Sequence, residues 1–331
     1  MNKLLLALSA LSMPVAASAS EAEFNANSAA WKAINLSAAY DEGLSGKGVR
    51  IAVIDNGFLD THQEFEGDGK FTRDGDYVQN HGTSVASLIG AAQNDLGMQG
   101  VAYNASLLAF AAKDIGTDDY KESACSNCRT TAGILAELKD SAYKDVKIIN
   151  ASWGSGEEDA AVTAALKNIS DKLFIAAAGN EMELNPNWPA LTPKSDNTLK
   201  NVINVVAFDP SANKSDEKYL ANFTNLAGDA AKWTITAPGV GIFAATGTGD
   251  AEYSGDLDGT SVAAPIVAGA AAFGAGKVFV SDRQRNRGCP ADDGKQRLFG
   301  IFRVCHAGGH RRKRQEQNAL PSDLLRRQHG G

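Results

Sequence analysis

Four stretches of the chain are unbroken apolar, β-branched runs. They are "GVRIAVIDNG" (48–57), "VKIINASWGSG" (146–156), "KLFIAAAGN" (172–180) and "NVINVVAF" (201–208), the first three closing on polar residues and glycine. Continuous runs of this length predict strands buried on both faces. Between them the period changes to about 3.6. "TTAGILAELKDSAY" (130–143) sets Ile134, Leu135 and Leu138 on one face, and "EDAAVTAALKNISDK" (158–172) repeats the helical pattern. Strands alternating with helices predict an α/β domain with a largely parallel sheet. Ligands of such sheets sit at the carboxyl ends of the strands. Asp55, Ser152 and Asn180 all fall there.

Composition narrows the class without changing this picture. The 331 residues are 44% hydrophobic and 21% charged, enough for one large domain or two ordinary ones. The 33 glycines follow no period, which excludes a solenoid. A net charge of −7 gives no reason to expect nucleic acid as a partner. "MNKLLLALSALSMPVAASAS" has the charge, apolar run and small-residue "ASA" site of a secretory signal over 1–19. The run is too short to span a bilayer. Export is therefore expected, and it permits disulfides. Cys125 and Cys128 in "SACSNCRT" are candidates for a small disulfide loop. The same spacing could serve a redox pair or half of a zinc site, but no second C-x-x-C or His pair accompanies it, so zinc is not expected.

Residues 281–331 are of another kind. They hold 10 of the 13 arginines and carry +7, which leaves −14 on residues 1–280. Sustained periodicity stops near Val280. One reading is a basic tail, "HRRKR", for anionic surfaces; the other is a shift of reading frame, which the abrupt break favours. The expected division is thus a signal (1–19), a folded domain (20–280) and an atypical Arg-rich tail.

The pentapeptide GTSVA occurs twice, in "HGTSVAS" (81–87) and "DGTSVAA" (258–264), in otherwise unrelated surroundings. Both copies read as small-residue helix starts, suited to two helices that approach closely. Hydrolysing an amide near neutral pH requires a nucleophile, a base, a group to orient the base, and donors for the oxyanion. Residues 1–280 offer only His62 and His81 as bases. His62, in the polar "DTHQEF", is expected to be exposed; His81, at a helix start, can project into a cleft. Asp55 ends a buried strand, where a carboxylate is costly unless paired. It can orient an imidazole or merely cap the next turn. Ser261 begins a helix whose amides favour negative charge, although plain N-capping is the commoner role there. Pro265 is expected within the first turn, where amides lack an intrahelical acceptor. Ser84, the counterpart of Ser261 in the first copy, is expected to pack or cap.

Together these motifs resemble the subtilase, or subtilisin-like, serine peptidase family over most of residues 30–280. "IAVIDNG" resembles its Asp box, "HGTSVAS" its His box, "AAAGN" its oxyanion segment, "GTSVAAP" its Ser box and "NASWGSG" its substrate-binding strand. The resemblance implies a three-layer α/β fold with a mostly parallel central sheet flanked by helices. It implies a secreted endopeptidase that cuts polypeptides through an acyl-enzyme. Asp55, His81 and Ser261 would form the triad and Asn180 the oxyanion donor. Ser152, Trp153, Gly154, Ala178 and Gly179 would bind substrate. The chemistry would need no cofactor; structural calcium is common in the family, and Glu64 lies near a ligand position. Ser87 stands where the family usually has glycine, a small change expected to be tolerated. Eleven residues (20–30) separate the expected cleavage site from Trp31, too few for the usual prodomain. That layout, with "NDLGMQGVAYNASLLAF", resembles the passenger domains of subtilase autotransporters, which a C-terminal barrel carries across an outer membrane. Residues after 280 do not read as such a barrel. The competing reading is a non-catalytic secreted binding protein on the same scaffold, or an inactive truncated passenger.

Overall fold

The computed structural model describes residues 21–115, 125, 127–215 and 219–274, and the backbone of strands at 296–298 and 302–304. The expected signal segment lies outside these residues, as does the tail except for those two strands. Three short helices, α1 (Glu21–Asn25), α2 (Ser28–Ala33) and α3 (Leu36–Asp41), precede the sheet. Its strands are β1 (Arg50–Asp55), β2 (Phe71–Asp74), β3 (Ser106–Ala111), β4 (Val146–Ala151), β5 (Leu173–Ala177), β6 (Val202–Phe208) and β7 (Thr234–Pro238). They pair in the order β2-β3-β1-β4-β5-β6-β7, every pairing parallel. The helices beyond α3 are α4 (Asn80–Gly90), α5 (Thr131–Glu137), α6 (Ala160–Lys167), α7 (Thr192–Ser195) and α8 (Thr260–Ala272). An antiparallel hairpin, β8 (Ile242–Ala245) and β9 (Tyr253–Leu257), precedes α8. Beyond it β10 (Gln296–Leu298) pairs with β11 (Phe302–Val304).

Three layers result from the alternation of side chains along each strand. On one face Ile51, Val53, Ile148, Ile175 and Ala177 join the residues of α4 and α8 in one core. On the other, Ala52, Ile54, Ile149, Phe174 and Ala176 pack with Ile134 and Leu135 of α5, Leu138 just after it, and Leu166 of α6. The two predicted helical stretches are helical only over 131–137 and 160–167, because each gives way to tighter turns before the next strand. Thr130 and Asp159 cap their starts, accepting from Gly133 N and from Ala161 N and Val162 N respectively.

The position of β1 matters most for the site. From β1 the chain runs to one side through β2 and β3, then crosses to the other side with β4. That is a topological switch point, where the connections diverge and leave a crevice beyond the strand ends. Asp55 ends β1 at this point, flanked by the ends of β3 and β4.

Helix α8 is buried along its whole length except at Ser261. A helix apolar on all sides belongs inside the protein, and here small residues let it approach its neighbours. A Cβ on Gly269 would come within 2.7 Å of Val101 Cβ and 3.3 Å of Ile89 O. Two serines of the first GTSVA segment tie α4 to β8. Ser84 Oγ donates to Ala245 O at 2.7 Å, while Ser87 Oγ donates to Ser84 O and accepts the Ala245 N–H. Ser84 thus packs and bonds as expected. Ser87 is fully buried with its hydroxyl satisfied in place of a glycine. Gly269→Ala is expected to cost about 1–3 kcal/mol by overpacking, seen as a lower urea midpoint at unchanged slope.

Candidate active site

His81 is the second residue of α4. The helix reaches the end of β1 because Gly82 lacks a side chain. A Cβ there would meet Gly57 O at 2.2 Å and Asp55 Cβ at 3.1 Å. This approach brings His81 Nδ1 within 2.8 Å of Asp55 Oδ1. Asp55 is fully buried, and its Oδ1 also accepts the Asn56 N–H at 2.8 Å. Burial works against a charged His81, but the Asp55 charge and its hydrogen bond outweigh that and raise the imidazole above its ordinary value. With Nδ1–H donating to the carboxylate, the neutral ring leaves Nε2 as an acceptor on its open edge.

Ser261 and Asn180 meet at the start of α8. Asn180 follows β5, and its Oδ1 accepts from both Thr260 N (2.9 Å) and Thr260 Oγ1 (3.0 Å). Thr260 Oγ1 accepts in turn from Gly179 N at 3.0 Å. With the carbonyl end of the amide so held, Nδ2 remains as a directed donor. A Cβ on Gly259 would lie 2.8 Å from Ser261 Oγ and 3.8 Å from Asn180 Nδ2, so hydroxyl and amide flank the same space. Gly259 takes φ +156, reached there without a side chain. No hydrogen bond joins His81 to Ser261, although α4 and α8 pack together.

Pro265 departs from expectation. It is the sixth residue of α8, not part of its first turn. It therefore deprives the Ser261 carbonyl of its usual intrahelical donor. Ser152 Oγ supplies the replacement, donating to Ser261 O at 2.7 Å and accepting from Asn150 Nδ2 at 2.9 Å. The Ser152 side chain is thus turned to the helix. The Trp153 indole points away as well, its Nε1 donating to Ile54 O at 3.0 Å. What the 152–154 segment offers a ligand is main chain. Ala178 and Gly179 directly follow the neighbouring strand β5, and Asn187 N donates to Ala178 O at 2.7 Å.

His62 overturns its expected exposure. It is fully buried, with Nδ1 accepting from Glu64 N at 3.2 Å and Nε2 donating to Glu252 O at 3.0 Å. Tyr253 packs edge-on at 5.2 Å. Burial lowers its pKa, so His62 is a neutral, sealed histidine, and His81 is the more open of the two.

Glu64 is also fully buried. Its Oε1 accepts from Met98 N at 3.0 Å and Tyr253 Oη at 2.6 Å, while buried Glu23 Oε1 accepts from Asn94 N and Leu96 N. Calcium asks for six to eight oxygens. Here N–H and O–H donors converge on the carboxylates, and among the described residues no group of three acidic, His or Cys ligands gathers around Glu64. The residues around Glu64 do not fit a calcium site. The one such gathering among the described residues, Asp76 with Cys125 and Cys128, includes two sulfurs bonded to each other, which leaves no thiolate for a metal.

The comparisons with known proteins agree on one family. The profile of the subtilase family matches residues 46–276. The alkaline protease of Alkalihalobacillus alcalophilus is 32% identical over 250 residues, covering 72% of this chain and 57% of that protein. Subtilisin BL of Lederbergia lenta is 32% identical over 250 residues, covering 72% and 81%. Among solved structures, the prenylagaramide maturation protease PagA superposes with a TM-score of 0.56 at 29% identity, covering 72% of this chain and 78% of that one. The chain thus spans little more than half of the first of these relatives.

Burial holds Glu64 protonated up to about pH 7, against 4.5 for an ordinary glutamate. The folded protein therefore keeps a proton that the unfolded chain releases across that window, and stability falls as pH rises through it, by up to about 3 kcal/mol. Glu64→Gln is expected to abolish this slope. Chemical denaturation at pH 4.5 and 7.5 should show the variant gaining on the wild type only at the higher pH.

Proposed function

The chain belongs to the subtilase family, and on that premise we propose that it is an exported serine endopeptidase working through an acyl-enzyme. The observation that carries this reading is the 2.8 Å bond between buried Asp55 and His81, which leaves Nε2 free to act as a base. In the proposed reaction Ser261 Oγ attacks the scissile carbonyl while His81 Nε2 takes its proton. The imidazolium that forms is stabilised by Asp55, which does not itself take the proton. The Asn180 amide and the Ser261 N–H at the head of α8 donate to the tetrahedral oxyanion. Collapse expels the amine, to which His81 returns the proton. A water activated by the same imidazole then releases the acyl group.

Main chain at Ser152, Trp153 and Gly154, and at Ala178 and Gly179, would pair with the peptide on either side of the bond to be cut. The catalytic unit proposed is residues 20–280, delivered by the signal at 1–19. The relatives' activities as proteases support this assignment; transport as an autotransporter passenger belongs to the same proposal. Among the described residues no helix is long and apolar enough to cross a membrane.

One observation favours the second reading, a binding protein on the same scaffold: His81 and Ser261 are not hydrogen-bonded. Catalytic bonds commonly tighten only when substrate is present, so turnover decides. Purified protein is expected to cleave casein, and folded but inert protein would favour the binding role. A fluorophosphonate probe should label Ser261 and fail to label the Ser261→Ala variant; labelling retained in the variant would refute the nucleophile. Asn180→Ala should lower kcat by about 10²–10³, the worth of one oxyanion donor, with little change in KM. The acid limb of the kcat/KM profile should have its midpoint above the ordinary histidine value of 6.5.

A further inference from the structure

On the side of β1 away from β4, the ends of β2 and β3 meet a pair of cysteines. Arg129 bridges to Ala112, just beyond β3, and its carbonyl accepts the Lys113 N–H at 2.9 Å. Cys128 is thereby fixed one residue from the sheet, and Cys125 is bonded to it. The turn after β2 reaches this pair at Gly75, whose φ of +95 is one that side chains rarely allow. A Cβ there would lie 2.8 Å from Ala111 Cβ and 3.2 Å from Cys128 Sγ. The next residue is Asp76, and one of its carboxylate oxygens and both sulfurs lie within 4.8 Å of one another.

The disulfide masks a metal donor set. Two cysteines spaced C-x-x-C can join in a disulfide or share a zinc ion, and here their Cα atoms are 5.5 Å apart. Zinc sites with an open position use three protein ligands. The third candidate comes from the end of another strand, so the spacing of the cysteines alone does not reveal it. Other carboxylates close by are engaged: Arg129 donates to Asp74 at 2.7 Å and pairs with Glu137. It is Asp76 that lies against the sulfurs. Asp76 is exposed, Cys128 half-buried and Cys125 buried, so a metal or a reductant has an open side from which to approach. Two thiolates favour zinc over calcium or magnesium. The charge of −14 on residues 1–280 attracts cations in general.

We propose that reduction of the Cys125–Cys128 bond creates a zinc site, with the two thiolates and the Asp76 carboxylate as ligands and a fourth position open to water. The reductant is a dithiol. One of its thiolates attacks Cys128 Sγ and displaces Cys125 as a thiolate; its second thiol then releases Cys128 and closes the reductant's own disulfide. Two electrons pass to the protein, and zinc takes the place of the protons that the two thiols would hold. The site does not depend on the peptidase reading and would survive its failure. Full-length protein carrying Cys289→Ser and Cys305→Ser, which removes the two tail cysteines, isolates the pair. Reduced by a phosphine, it should bind zinc with a stoichiometry of about one in calorimetry and release protons as it does so. The oxidised protein should bind none. Cobalt in place of zinc should give a thiolate-to-metal charge-transfer band and the visible bands of a tetrahedral ion. Asp76→Asn should weaken zinc binding by at least about tenfold, the loss that even an outer partner of a ligand causes, and Asp76→His should restore it. If a variant fails to fold, the wild-type chain still reports: zinc should shield reduced Cys125 and Cys128 from alkylation, read peptide by peptide by mass spectrometry. Reduced protein that binds no zinc, binding equal in the two redox states, affinity indifferent to Asp76→Asn, or alkylation of both cysteines unaffected by zinc overturns the proposal.

Discussion

The structure turns on one buried carboxylate. Asp55 lies at the end of the central strand with no exposure to solvent, a position that is costly for a charge unless it is compensated. Compensation comes from two donors aimed at the same oxygen, the Asn56 N–H and the His81 imidazole. Much of the nearby sequence serves that contact. Gly82 allows α4 to touch the loop after β1, and Gly57, at φ +157, folds that loop under Tyr77 O, where a side chain would collide at 2.6 Å. The Ser84 and Ser87 hydroxyls then fix α4 against β8. The helix that carries the imidazole is thereby held from several directions while Asp55 orients the ring, which is what a base needs if its orientation is to survive thermal motion.

The serine side of the crevice uses a different device. A helix buried on every side has no freedom to tilt, and Ser261 is its single opening to solvent. Pro265 removes one hydrogen bond from that helix, and Ser152 from the end of β4 replaces it. The substitution links the helix carrying Ser261 directly to the strand end proposed to bind the peptide. Thr260 performs the parallel service for Asn180, taking up the amide oxygen so that its N–H groups remain to donate. Strand ends and helix start are therefore joined by side-chain bonds to main chain, which resist displacement better than contacts between two mobile side chains.

Farther out, polar groups are again organised by neighbours distant in sequence. Asn225 braces the loop after β5, and the Glu64–Tyr253 contact spans 189 residues. His62 owes its burial to the same long-range organisation. Its neighbours in "DTHQEF" are polar, and local polarity points to solvent. Glu252 and Tyr253, brought over it by the β8–β9 hairpin, exclude the water instead.

The sequence by itself determined the parallel α/β plan, the strand ends at Asp55, Ser152 and Asn180, and the two small-residue helix starts at His81 and Ser261. These are local properties: hydrophobic period, run length and glycine placement act over a few residues and need no partner. Only the tertiary structure decided that one histidine is sealed in and the other open. It also turned Ser152 toward the serine helix, placed Pro265 beyond the first turn, and brought the Met98 N–H and the Tyr253 hydroxyl to Glu64. Each of these depends on which groups from remote segments arrive to share a buried hydrogen bond. That is settled by packing in three dimensions, and local pattern carries no record of it.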